Sequence, residues 1–302
     1  MFAWYRPYNC NGAITAAVVA VASSLVAAFP VHNVLLGTGH TAPVVVFGVL
    51  LLVASVSLFG TILSDPGIIP RRPPLRPGEC KPNRVQDVLV AGQLTRLRWC
   101  ETCCIFRPPR SAHCWIVDAC IENYDHYCPF LGNAIGKGNY RFYLAFIAST
   151  SLLTLFSIAV CVVDMALVVQ RGRPRSPADS APTWTIIFTD APVTLALTVF
   201  LFLAMCFVVG LTVFHTYLIA LGMSTNERLR DAFPDGNPYS KGVLRNLTSI
   251  CCAWPRRGRR RHRRMVPSET AAVASANGSR QSADDNGDSL VLEVRHTIHG
   301  QV

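Results

Sequence analysis

Charge is scarce in this sequence. Asp, Glu, Lys and Arg make up only 15% of its 302 residues, whereas 51% are hydrophobic and mean hydropathy is +0.32. That balance excludes an ordinary soluble domain of this size and points to a membrane protein. Four long runs almost free of charge lie near residues 13–36, 42–63, 142–163 and 191–217. Each is comparable with the roughly 20 helical residues that cross a hydrocarbon core. The first run is Ala-rich, meets Pro30 early and ends in an "AAF" that imitates a signal-peptide cleavage site. Charge placed clearly within a span is also lacking, which leaves a transporter reading with only the four spans in its favour. Asp164, at the luminal end of the third run, reads as a solvated interfacial carboxylate. No KDEL-like address is present.

The distribution of the few charges decides in favour of a first span and sets the orientation. The connection from 30 to 41 has no Lys or Arg, whereas the segment between the second and third runs carries Arg71, Arg72, Arg76, Lys81, Arg84, Arg96, Arg98, Arg107, Arg110 and Lys137. Positive charge marks the cytosolic side, so the long loop and both termini are expected there. The segment from 170 to 190, with Arg171, Arg173 and Arg175, falls on the luminal side against this trend.

Six of the 12 Cys lie between 100 and 128. In a reducing cytosol such a cluster reads as metal-binding or catalytic rather than disulfide-bonded. Cys100 and Cys103 form a C-x2-C pair that can present two thiolates to one ion, and His113 with Cys120 completes a tetrahedral Cys3His zinc set. The stretch "DHYC", Asp125 to Cys128, leaves three readings open for Cys128: a nucleophile served by His126 and Asp125, a metal ligand, or one more cysteine in a cysteine-rich loop.

With "RPPRSAHC", "DHYCPFLGN" and "GNYRFY", residues 99–143 closely resemble the cysteine-rich domain of the DHHC family of protein S-acyltransferases, the palmitoyltransferases. Asp65, Pro66 and Gly67 after the second run, "STNE" (Ser224 to Glu227) after the fourth, where the family has TTxE, and "NPYSKGVLRN" (Asn237 to Asn246) match the family's other motifs in order. The resemblance covers roughly residues 10–255. It implies an all-α polytopic membrane protein: four transmembrane helices, with a small cytosolic zinc-binding cysteine-rich domain of short β-hairpins between helices 2 and 3. The expected divisions are 1–12, 13–63, 64–141, 142–221, 222–254 and a polybasic, disordered tail over 255–302.

The family holds two zinc ions on interleaved Cys3His sets. The first set corresponds to Cys100, Cys103, His113 and Cys120. The second would need Cys114 with ligands at 117, 127 and 134, where this chain has Val117, Tyr127 and Ala134. One thiolate cannot hold a structural zinc, so one ion is expected, with a small apolar cluster replacing the other. Cys104 reads as a spare thiol. In the family the Asp, the first His and the Cys of the tetrad carry the chemistry, so Tyr127 removes a ligand and leaves Asp125, His126 and Cys128 intact.

The reaction implied is transfer of a palmitoyl or other long-chain acyl group from acyl-CoA to Cys128, and then to membrane-proximal cysteines of protein substrates. His126 is the expected proton acceptor and Asp125 its orienter. Arg107, Arg110, Lys137 and Arg141 are candidates for the CoA phosphates, with plain positive-inside charge as the other account of them. Thr225 and Asn246 are expected to contact one another. Glu227, Asn237, Tyr239 and Gly242 belong to the same flanking motifs.

After residue 254, "PRRGRRRHRR" suits anionic lipid head groups rather than nucleic acid, and the neighbouring Cys251 and Cys252 are candidates for acylation. The sequons at Asn246 and Asn277 lie on the cytosolic side, where no glycosylation is expected. Endomembrane or plasma membrane is the expected location. The alternative function is a catalytically silent membrane scaffold or adaptor.

Overall fold

The computed structural model describes residues 11–76, 82–90, 93–172, 182–234 and 236–252. The polybasic tail lies outside them. Among the described residues, four helical stretches are long and apolar enough to cross a membrane: Asn11–Thr38, Ala42–Leu63, Tyr140–Gly172 and Pro192–Leu221.

The first is built in three pieces, α1 (Asn11–Val26), a π-helical turn (Ala27–Val31) and α2 (His32–Thr38). Pro30 has no N–H to give to the turn before it, and the wider π-turn absorbs that missing bond without ending the helix. Gly39, at φ +70°, stops α2. The second stretch, α3 (Ala42–Leu63), opens with a proline in its first turn. Between α3 and the third long helix, α4 (Tyr140–Gly172), lie eight short strands among the described residues. A short helix, α5 (Thr183–Asp190), which the composition did not suggest, precedes α6 (Pro192–Leu221).

Helix α4 is central, packing on α3 along one side and on α6 along the other. Its 33 residues give about 50 Å at 1.5 Å per residue, more than the roughly 30 Å hydrocarbon core. The α3–α4 crossing is close: a Cβ on Gly60 would stand 2.7 Å from the Phe142 ring. A buried cluster including Val26, Phe47, Leu153, Val160 and Leu201 joins the four stretches. Leu52, Val213 and Leu203 point outward, the pattern of a bundle whose solvent is lipid.

Asp164 corrects the expectation of a solvated interfacial carboxylate. It is fully buried, and Thr194 Oγ1 donates to its Oδ2 at 2.6 Å. The reason is that α4 runs on to Gly172, so Asp164 lies within the helix pair rather than at its end.

The strands form three small antiparallel sheets in the orders β1-β6-β5, β2-β3-β4 and β7-β8. Strand β3 (Gln93–Cys100) turns back into β4 (Ile105–Phe106) with Cys100 opposite Ile105, so Cys100 and Cys103 share one tight turn. Strands β5 (Ala112–Cys114) and β6 (Ala119–Ile121) pair His113 with Cys120, and β1 (Ile68–Ile69) covers the outer edge of β6. Strands β7 (His126–Cys128) and β8 (Asn133–Ile135) pair Tyr127 with Ala134 and Cys128 with Asn133. The remaining hairpin joins β2 (Val85–Val90) to β3.

Two devices fasten these hairpins to the helices. Asp65 Oδ1 accepts from the N–H groups of Gly67 and Ile68 at 2.8 and 2.9 Å, which closes a turn with Gly67 at φ +102°. Pro66 and Gly67 then accept at their carbonyls from Gly138 and Glu122. The fully buried Asn133 donates through Nδ2 to the carbonyls of Thr61, Ile62 and Ser64 at 3.1, 3.1 and 3.2 Å. A side chain from β8 thus satisfies the open carbonyl end of α3.

Asn133→Ala should therefore lower stability by about 1–3 kcal/mol, the cost of stranding buried acceptors. Thermal unfolding of the detergent-solubilised protein reads this as a lower midpoint. An unchanged midpoint would remove Asn133 from the helix cap.

Candidate active site and metal centre

The hairpins bring together the four side chains expected for one zinc. Sγ of Cys100, Cys103 and Cys120 lies 3.6, 3.5 and 3.9 Å from His113 Nδ1. Zn–S near 2.3 Å and Zn–N near 2.0 Å in a tetrahedron imply an S···N edge of about 3.6 Å, so the quartet fits such an ion. The three cysteines are almost wholly buried. Burial, with the neighbouring sulfurs, pushes the Cys103 and Cys120 thiols up, and burial lowers the His113 imidazole. Three thiolates here need a cation between them. His113 turns its other nitrogen toward Asp118, with Nε2 3.6 Å from Oδ1, and Asp118 is in turn held by Arg71 at 2.6 Å. A carboxylate behind a ligating histidine is the usual way to fix the ring. Cys104 stands apart, its thiol donating to the Glu101 carbonyl.

No such cluster forms at the second set. Cys114, Ala119, Ile121 and Ala134 make a buried apolar core, with Val117, Tyr124 and Tyr127 packed against it. Hydrophobic contact takes the place that three further ligands would occupy.

The second assembly centres on Asp125, which is 2% exposed. Its Oδ2 lies 2.6 Å from His126 Nδ1 and accepts from Thr225 Oγ1 at 2.8 Å, while its Oδ1 accepts from the Thr225 N–H at 2.8 Å. Burial alone would raise this carboxyl; the bonds to His126 and Thr225 outweigh it and hold it below its ordinary value. For His126 burial likewise opposes charge, but Asp125 and Cys128, its two hydrogen-bonding partners, raise its pKa to about 9. His126 is then an imidazolium at neutral pH, the neighbour that supports a thiolate nucleophile.

Thr225 opens α7 (Thr225–Leu229), whose first turn carries a reciprocal cap: Glu227 N–H donates to Ser224 Oγ, and Ser224 N–H to Glu227 Oε2. Arg110 clamps Glu227 from the cysteine-rich side, with Nε to Oε1 and Nη2 to Oε2 both at 2.6 Å, and also donates to the Gly222 carbonyl. Tyr239 lies beneath its guanidinium at 5.0 Å. Arg110 itself has φ +62°, a conformation that costs a non-glycine residue energy and is held here by these contacts.

Two expectations change accordingly. Arg110 is committed to Glu227 rather than open to a CoA phosphate. Thr225 bonds Asp125 rather than Asn246. Asn246 instead donates to the Ala220 carbonyl and Ser240 Oγ, and Asn237 to the carbonyls of Leu221 and Gly222. Both asparagines satisfy the last carbonyls of α6, and Gly242, at φ +88°, precedes the next helix, α8 (Val243–Cys252). Of the other basic candidates, Lys137 pairs with Glu122, Arg107 donates to the Trp99 carbonyl, and Arg141 has no ion-pair partner among the described residues.

Cys128 faces a cavity of about 420 Å³ running between α1, α4 and α6, lined mainly by apolar side chains such as Val18, Phe146, Leu153 and Phe207. Along α4 the lining extends from Tyr143 to Ser157, about 21 Å at the helical rise. Tyr140, Tyr143 and His215 also meet beside His126, and the sequence reading missed them. Tyr143 Oη lies 3.0 Å from His215 Nε2, and Tyr140 Oη 3.2 Å from Nδ1. The available signal was an ionisable residue inside an apolar helix.

Comparison with known proteins gives the same direction. Residues 93–232 match the family model described as DHHC palmitoyltransferase. Palmitoyltransferase ZDHHC9 of Danio rerio is 37% identical over 236 residues, 70% of this chain and 58% of the relative. Palmitoyltransferase ZDHHC18-A of Danio rerio is 34% identical over 227 residues (69% and 46%), and Palmitoyltransferase ZDHHC14 of Mus musculus 32% over 285 residues (83% and 55%). The chain thus spans about half the length of the curated relatives it matches.

If Asp125 holds the His126 charge, Asp125→Asn should return that pKa from about 9 toward the ordinary 6.5. Because the folded value is the raised one, the stabilisation is whole below about pH 6.5 and fades as the pH rises through about 9. Histidine NMR titration of wild type and variant checks this; equal midpoints would sink the assignment.

Proposed function

We propose that this chain is a protein S-acyltransferase, moving a long-chain acyl group such as palmitoyl from acyl-CoA to cysteine thiols of cytosolic or membrane proteins through an acyl-Cys128 intermediate. The observation that carries this reading is the position of Cys128. It stands two residues along β7 from a histidine oriented by a buried carboxylate, on the same face of the strand, and it lines an apolar cavity between helices.

The chemistry follows from these groups. The Cys128 thiolate attacks the thioester carbonyl, and the C=O pair moves onto oxygen. Collapse re-forms C=O and expels the CoA thiolate, which takes the proton from His126. A substrate thiol then gives its proton to the neutral His126 and attacks the acyl-Cys128 carbonyl, and Cys128 departs as thiolate beside the restored imidazolium. One thioester replaces another at each step, so no ATP is required. The acyl chain lies in the cavity meanwhile, gaining about 0.8 kcal/mol per buried CH2. Arg141 and Arg107, at the base of α4 and in the cysteine-rich loop, are the remaining candidates for the CoA phosphates, and Lys137 would have to leave an exposed, weak pair with Glu122 to join them.

One zinc held by Cys100, Cys103, His113 and Cys120 would brace the hairpins that carry this site, and the Cys114 cluster would do the same by packing alone. Loop charge supports a cytosolic face for the site and both termini, in an endomembrane or the plasma membrane.

The direct test incubates the purified chain with labelled palmitoyl-CoA. Wild type should form an adduct that hydroxylamine cleaves, and Cys128→Ser and Cys128→Ala should form none. A well-folded wild type that takes up no label, or label persisting without Cys128, would leave the adaptor reading in its place. Metal analysis should give one zinc per chain, lost in Cys120→Ala and kept in Cys114→Ala; two ions per chain would overturn the single-site reading.

A further inference from the structure

Transfer of an acyl group places negative charge on a carbonyl oxygen next to Cys128, and that oxygen needs a donor in a site with little water. The nearby polar groups are mostly committed. The Gly132 N–H bonds the Cys128 carbonyl, Asn133 caps α3, and Asn139 Nδ2 donates to the Ala134 carbonyl. Among hydroxyls lining the cavity, Thr15 donates to the Phe130 carbonyl. Thr150 lies seven residues beyond Tyr143 on α4, about 10 Å deeper.

Tyr143 differs from all of these. It is 3% exposed, lies in one buried cluster with Cys128, lines the same cavity as that sulfur, and sets its ring edge-on to His126 with centroids 5.3 Å apart. The hydrogen-bond partner found for its hydroxyl is His215, which is 2% exposed and held at its other nitrogen by Tyr140. A neutral imidazole has one donor and one acceptor. When Tyr140 donates to Nδ1, Nε2–H donates to Tyr143 Oη, and the Tyr143 proton is left for another acceptor. An oxyanion at Cys128 is the strongest acceptor that can arise there, and it selects this direction of the chain.

We infer that Tyr143 is a catalytic residue whose hydroxyl donates a hydrogen bond to the thioester oxyanion formed at Cys128, with His215 and Tyr140 as positioning residues behind it. The proton stays on Tyr143 throughout: the oxygen gains charge as the sulfur–carbon bond forms and returns it when either thiolate leaves. The inference rests on the acyltransferase reading above.

The test measures the rate of Cys128 acylation against palmitoyl-CoA concentration in wild type, Tyr143→Phe, His215→Phe and the double variant. Wild-type activity decides the acyltransferase reading independently of Tyr143. Given that activity, Tyr143→Phe, which removes one oxygen, should lower the maximal rate about 100-fold with an unchanged KM. The double variant should be no worse, because His215 acts through Tyr143. A Tyr143→Phe rate equal to wild type, or a loss confined to KM, overturns the assignment. If Tyr143→Phe does not fold, 3,5-difluorotyrosine at position 143 decides: it keeps the ring and hydroxyl but ionises more readily, so activity should fall off at lower pH than in wild type. An identical pH profile would mean that the hydroxyl does not meet the reacting carbonyl.

Discussion

A single buried carboxylate ties the membrane helices to the cysteine-rich loop. Asp125 leaves the loop just before β7, and the groups it meets come from both sides: His126 next to it, and the backbone and hydroxyl of Thr225 one hundred residues later. An unpaired buried carboxylate would neutralise itself rather than remain charged. Two donors from Thr225 and the His126 imidazolium keep this one ionised, so a docked α7 helps hold the charge that orients His126. Folding of the chain after α6 thereby contributes to the arrangement around His126.

Arg110 extends that dependence by one step. Its bidentate bond to Glu227 fixes α7 from the far side, and Gly222 and Tyr239 hold the guanidinium. A largely buried pair of this kind contributes little net stability compared with apolar packing, but losing one partner costs several kcal/mol. Its effect is geometric: loop, α6 terminus and α7 have one mutual arrangement in which Arg110 and Glu227 pair. The asparagines that cap α6 act on the same junction.

Much of this was legible in the sequence, because the signals were local. The second span matched its apolar run from 42 to 63 residue for residue, and the C-x2-C turn with His113 and Cys120 formed one cluster. Spacing within a short loop constrains such groups whatever the rest of the chain does. What failed to show was set by tertiary pairing. Asp164 is buried because Thr194 of another helix meets it; Thr225 turns to Asp125 rather than Asn246; Arg110 finds Glu227. Tyr140 and Tyr143 are one turn apart on α4, yet nothing in either helix alone reveals that His215 lies between their hydroxyls. Pro30 interrupts the first apolar run, and the π-turn carries the helix through it.

The replacement of the second ligand set shows what the loop requires of its interior. A structural zinc fixes four side chains at once, and its loss would free β7 and β8 unless something else held them in register. In this chain Tyr127 and Ala134 are direct cross-strand partners, Ala134 lies in a buried cluster with Cys114, Ala119 and Ile121, and Tyr127 packs against that cluster. A large side chain opposite a small one fills the space between the hairpins without a polar atom left over. The register that results sets Cys128 against Asn133, whose amide is fixed to the end of α3. Apolar packing on one face of β7 and a helix cap on the other therefore determine where the Cys128 sulfur stands, at the mouth of a cavity that only the membrane helices can form.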